Sequence, residues 1–124
     1  MKFTFVYGML PALVCYTDHV PEGSAGCANA MIVRIRPGYR DDVGLLQHEL
    51  THVKQAYRLL FLFHALLYLL DDSYRLHAEV EAYGKQLEYS SDKNADAARF
   101  AESICNKYNL HVDQTSVENM LRGE

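Results

Sequence analysis

The sequence predicts an α+β fold, a small N-terminal β-sheet followed by a helical portion, and three observations carry that expectation. The first third is rich in aromatic and β-branched residues broken by Gly and Pro, the composition of short strands and turns. From Asp42 onward, apolar residues recur at helical spacing behind residues that cap helices well. A chain of 124 residues, 49% hydrophobic, supplies one core but not two, so residues 1–124 are expected to form a single domain.

Strands are expected over Lys2–Tyr7, Leu13–Thr17 and Ala30–Arg36, with Pro21–Gly26 as a loop. In the last of these, Met31, Val33 and Ile35 alternate with Ile32, Arg34 and Arg36, the pattern of a strand with one face packed on helices. Met1 to Cys15 is weakly like a signal peptide. A lone Lys2, an interrupting Pro11 and the lack of a convincing small-x-small cleavage site favour a retained strand instead.

The first helix is expected from Val43 to about Tyr57, capped from Asp41-Asp42 after the Pro37-Gly38 turn. Val43, Leu46, Leu50, Val53 and Tyr57 share one stripe, while His48, His52 and Gln55 fall on the opposite side, towards a cleft or solvent. Residues four apart on a helix lie one turn apart on the same face, so His48 and His52 can reach one metal ion. Glu49 can touch water on that ion without being a ligand. This His-Glu-x-x-His spacing is that of zinc metallopeptidases, in which the glutamate is general base on the zinc-bound water. The competing reading is an exposed histidine pair on an amphipathic helix.

Leu59–Leu70 is almost wholly apolar but, at twelve residues, falls short of the roughly twenty that span a bilayer. A helix buried on most sides is expected, with a membrane-surface or self-association patch as the alternative. His64 within it reads as a core or rim residue. Leu76, Val80, Tyr83 and Leu87 form the stripe of the next helix, capped by Asp72 or Ser73. Glu79 lies at the edge of that stripe, about 60° from Leu76 on a wheel, whereas Glu81 lies on the far side beside His77. A carboxylate bordering a core needs a compensating partner, so Glu79 is the better candidate for the third ligand that catalytic zinc requires. After a break at Ser90-Ser91-Asp92, a helix over about Asn94–Tyr108 turns Ala97, Phe100, Ala101, Ile104 and Tyr108 inward. Thr115-Ser116-Val117-Glu118 has capping-box form and should open a short last helix.

Over roughly Ala30 to Glu88 the sequence resembles the gluzincin metallopeptidases: a His-Glu-x-x-His helix, then a Glu-x-x-Ala glutamate (Glu79-Val80-Glu81-Ala82) on a second helix. It is most similar to the very small single-domain members called minigluzincins. The resemblance implies a minimal zincin-like domain holding one Zn²⁺ through His48, His52 and Glu79, with Glu49 as general base, acting on a peptide or protein substrate. It also implies that the strand before the metal helix lies near the cleft edge, where an extended peptide can add to the sheet. The residue four after the ligand glutamate is commonly Asp in that family and orients a metal-binding histidine. Here it is Tyr83, so Tyr83 or another group must serve. For the oxyanion, Tyr57, Tyr74, Arg75 and His77 are available and spacing does not choose among them.

A net charge of −4 with scattered basic residues argues against a nucleic-acid partner. Cys15, Cys27 and Cys105, an odd count without metal-site spacing, fit reduced thiols and a cytoplasmic setting, with one Cys15–Cys27 bridge left open. Two rivals remain: a catalytically inactive zinc-binding interaction module of the same fold, and a metal-free helical protein that self-associates through Leu59–Leu70.

Overall fold

Strand alternation and helical periodicity build two apolar clusters, and the predicted ligands fall on the helices between them. The computed structural model describes residues 1 to 123. Its elements run β1 (Lys2–Val6), β2 (Leu10–Tyr16), β3 (Gly26–Asn29), β4 (Ile32–Ile35), a 3-10 turn (Pro37–Tyr39), α1 (Val43–Arg58), α2 (Leu62–Leu70), α3 (Asp72–Leu87), α4 (Lys93–Lys107) and α5 (Gln114–Arg122). The expected α+β class is therefore observed, as a mixed four-stranded sheet ahead of five helices.

The sheet order is β1-β2-β4-β3, with β2 and β4 parallel and the other pairs antiparallel. Val6, Ala12, Val14, Val33 and Ile35 point to one face and pack on Leu45, Leu50 and Val53 of α1. Full burial of each Val or Ile there contributes about 1.5–3 kcal/mol. Pro11 precedes the segment of β2 that β4 pairs with, so its missing N–H removes no bond on that side. The alternation in β4 holds for Val33 and Ile35, while Met31 belongs to the turn after Ala30, whose φ is 54°. β3 lies in a stretch with no strand expectation. It contains no β-branched residue, and its pairing with β4 rather than local propensity makes it a strand. The cleft-side edge is consequently β3, and β4, the counterpart of the expected Ala30–Arg36 strand, is interior.

Asp42 caps α1, accepting from the Leu45 N–H at 2.9 Å. Val43, expected to face inward, is exposed, and Leu45 takes its place in the core. The α1 face bearing His48 and His52 meets α3 rather than open solvent. Asp71, not Asp72 or Ser73, caps α3 through the Tyr74 N–H, and Asp113 rather than Thr115 caps α5 through the Ser116 N–H. Behind α3, Tyr83 and Leu87 join Phe100, Ala101, Ile104, Val117 and Leu121 in the second cluster.

The expectation for Leu59–Leu70 is overturned, because α2 has no buried residue. Leu62, Phe63, Leu66, Leu67, Leu69 and Leu70 are exposed, and the inward side is formed by His64 and Tyr68, one turn apart. Hydrogen bonds, not apolar burial, fix this helix: His64 Nδ1 meets the Tyr74 hydroxyl at 2.6 Å, and buried Arg75 donates to the Tyr68 carbonyl at 2.7 Å. Leu60 and Phe61 turn the chain into α2 with positive φ of 54° and 52°, backbone that residues other than glycine seldom adopt. Among the described residues no single helix is long and apolar enough to cross a membrane; α1 and α2 qualify only together, and they are bent by 111°. All three cysteines are free. Cys15 and Cys27 flank Arg34 from opposite sides of β4, so two strand spacings, roughly 9–10 Å, separate them and exceed disulfide reach.

Candidate metal centre

α1 and α3 face each other as a ladder. His52 stands against Glu79, the His48 ring against Tyr83, and Gly44 against Gln86. One number falls as the other rises, so the helices are antiparallel, and their three- and four-residue spacings keep each set on one face. Local periodicity thus delivers two histidines from one helix and a carboxylate from the other to the same point.

His48 Nε2 and His52 Nε2 are 3.3 Å apart. Glu79 places Oε1 3.7 Å from His48 Nε2 and Oε2 3.4 Å from His52 Nε2. The ligand atoms of the three residues all lie within 4.8 Å of one another, so the group can hold a metal ion. Two ligands bound to one zinc at about 2.0–2.1 Å in a tetrahedron are about 3.3 Å apart, which is the spacing of the imidazole nitrogens. Glu79 is 1% exposed and its Oε1 has no hydrogen-bond partner. A buried, unpaired carboxylate oxygen costs about 1–3 kcal/mol, and a cation between the three residues would offset that cost. The donor set and the orphaned oxygen both fit a metal.

The polar surroundings hold His52 in one orientation. Its Nδ1 donates to Gln55 Oε1 at 2.9 Å, because Gln55 Nε2 is committed to the Ala78 carbonyl at 3.0 Å and to Glu81 Oε1 at 2.7 Å. His52 Nε2 is thereby left facing the centre. Glu81, on the far side of α3 as expected, anchors this arrangement and pairs with Arg58. Nδ1 of His48 is buried and meets no partner at hydrogen-bond geometry. Tyr83 does not supply it, since its ring packs edge-on against His48 at 4.3 Å and its hydroxyl meets that of Tyr108 at 3.0 Å.

Charge in this enclosure is strongly redistributed. Burial works to raise the Glu79 pKa, but His52, His48 and the Tyr68 hydroxyl outweigh it and hold the carboxylate below its usual range. Burial likewise opposes charge on His52, yet Glu79 beside it lifts the pKa to about 9. His48, buried and next to that positive charge, falls to about 3 and is neutral. Glu49 is buried, carries no hydrogen bond among the described residues, and is raised by burial to about 7. Gly26 of β3 backs it closely: a Cβ there would lie 3.2 Å from Glu49 Oε1.

Two hollows open on either side of this point and share Ser24, Gly26, His48, Glu49 and Tyr108. One, of about 490 Å³, includes Arg36, Arg99 and Lys107 in its wall. The other, of about 670 Å³, runs along β3 and is walled by Ala56, Phe61, Leu62, Ala65 and Leu69.

Tyr68 was not among the residues the sequence singles out, yet its hydroxyl donates to Glu79 Oε2. Nothing local connects two residues eleven apart on different helices; only the reversed facing of α2 brings them together. The four residues available for an oxyanion are engaged elsewhere. Tyr57 bonds the Pro11 carbonyl, Tyr74 bonds His64, Arg75 bonds the Tyr68 and Tyr108 carbonyls, and His77 bonds the Ser73 carbonyl.

No protein-family model matches this chain, and no curated protein or solved structure matches it either.

Proposed function

We propose that this chain is a zinc-dependent peptidase on a minimal zincin-like fold, akin to the gluzincins, with one zinc per chain on His48, His52 and Glu79. The observation that carries this reading is the position of Glu49. A buried carboxylate without a hydrogen bond among the described residues lies beside a three-residue ligand set where two hollows meet. A site that only stored a metal has no use for such a base. Zinc held there would supply Lewis acidity, lowering the pKa of water and polarising a carbonyl.

The chain's own groups perform the remaining work. Glu49 takes a proton from the attacking water as general base and returns it to the leaving amine as general acid. Tyr68 is kept protonated by burial and by Glu79, so it remains a hydrogen-bond donor against the ligand carboxylate. β3 is the edge strand and lines the larger hollow, so an extended peptide can pair with it through main-chain bonds. The exposed leucines of α2 supply a surface for self-association, the alternative to a buried helix, which sedimentation over a concentration series reads directly.

The test is cleavage of a quenched-fluorescent peptide library by zinc-loaded protein. Wild type should cleave and a chelator should stop it. Glu49→Gln should keep the metal but lose about 10²–10⁴-fold in rate. Stoichiometric zinc with no cleavage across the library would instead favour the inactive zinc-binding module.

A further inference from the structure

The ladder between α1 and α3 leaves two buried polar atoms without partners on its upper rungs: Nδ1 of His48 and Oε1 of Gln86. We propose that Gln86 is the positioning residue for His48, accepting from Nδ1–H through Oε1 and so aiming Nε2 at the ligand set. The inference rests on the metal centre described above, and it concerns a residue outside the Glu-x-x-Ala segment.

Three observations carry it. Donor and acceptor are complementary. His48 is 4% exposed, and an imidazole carries an N–H on at least one of its ring nitrogens. Its Nε2 faces His52 Nε2 at 3.3 Å and Glu79 at 3.7 Å, so this nitrogen is the natural acceptor or ligand and the proton belongs on Nδ1. A buried N–H requires an acceptor, and Gln86 Oε1 is a buried acceptor that lacks a donor.

The helix geometry places the two together. Gly44 lies one turn before His48 on the same face of α1, and a Cβ at Gly44 would come within 3.2 Å of Gln86 Cγ. The Gln86 side chain therefore lies across the glycine rung and extends towards the next one, His48. Gln86 and His48 also share the wall of the smaller hollow. Gly44 eases this approach, since a Cβ there would press on the Gln86 stem and carbonyl by a few tenths of an ångström.

The alternatives at this position are spent. Tyr83 is edge-on to His48 with its hydroxyl on Tyr108, and Gln55 is bound to His52. The consequence is a centre whose two histidines are both oriented by neutral glutamine amides. Glutamine leaves the imidazoles less electron-rich than a carboxylate would, which favours a weaker metal bond over a tighter one.

Long-range ¹H–¹⁵N NMR of the metal-free protein tests the assignment without requiring metal or activity. His48 should be the Nδ1–H tautomer in wild type. Gln86→Met, which keeps length and removes the acceptor, should mix the tautomers, and Gln86→Glu should restore Nδ1–H. In a chelator competition, zinc affinity should fall about 10–100-fold in Gln86→Met and recover in Gln86→Glu. An Nε2–H tautomer in wild type, or Gln86→Met indistinguishable from it in the spectrum, overturns the proposal. Wild type that binds no zinc would overturn the proposed function, while the tautomer would still decide the role of Gln86.

Discussion

The Tyr68 hydroxyl on α2 donates a hydrogen bond to Oε2 of Glu79 on α3. A helix with no buried residue thereby holds a carboxylate that is 1% exposed. Tyr68→Phe removes that donor and leaves the rest of the ring. The metal-free protein should lose about 1–2 kcal/mol, read as a thermal midpoint lower by a few degrees. Zinc affinity should weaken with it. An unchanged midpoint and affinity would mean the bond contributes nothing to the site.

The His52–Glu79 pair makes metal binding a proton-releasing event. The folded pKa of His52, about 9, lies above its ordinary 6.5. The stability this pair contributes to the metal-free fold is therefore fully present below pH 6.5 and is lost as pH rises through 9. A metal needs the unprotonated ring, so zinc must displace the proton at pH 7. Calorimetric titration in two buffers of different ionisation enthalpy should show about one proton released at pH 7 and little release near pH 10. Apparent affinity should climb with pH across that interval. Binding at pH 7 without proton release would contradict the charged pair.

Gly26 backs Glu49, the proposed base. A Cβ added there would meet the Arg34 carbonyl at 3.1 Å and Glu49 Oε1 at 3.2 Å. Both contacts are a few tenths of an ångström tighter than ordinary, so a methyl group there presses on the β4 backbone and on the Glu49 carboxylate. Gly26→Ala should leave zinc stoichiometry intact while lowering kcat, by less than the roughly 10²-fold that a displacement of about 1 Å costs. Loss of zinc and of kcat together would show that β3 supports the ligands rather than the base.

Much of this centre was legible in the sequence because helices repeat every 3.6 residues. That periodicity put His48 and His52 on one face and Glu79, not Glu81, at the border of the α3 core. It is silent on what packs against a face. The histidine side of α1 could equally have met solvent, and only α3 decides otherwise. Leu59–Leu70 misleads for the same reason: its nearly unbroken apolar run suggests burial, but in α2 the two polar residues, His64 and Tyr68, face inward. β3 and the Cys15–Cys27 separation follow from strand pairing with β4, which local composition does not encode.

Arg75 ties the centre to the second cluster. It is buried and donates to the carbonyls of Tyr68, Leu69, Tyr108 and Asn109 while pairing with Asp72. Arg75→Met keeps much of the stem and strands those carbonyls, so a loss of about 2–4 kcal/mol is expected in urea unfolding. Because the Tyr68 carbonyl is among them, zinc affinity should fall as well. A loss below about 0.5 kcal/mol, the range of a neutral surface change, would show that water replaces the guanidinium.

His48, His52 and Glu79 are placed so that they could hold one metal ion together, and metal content per chain reads this out. Mass spectrometry of protein reconstituted with zinc and then desalted should find about one zinc per wild-type chain. Glu81→Ala should keep it, because Glu81 only anchors Gln55, and Glu79→Ala should retain almost none. Wild type without zinc, or Glu79→Ala with as much zinc as wild type, would contradict the account.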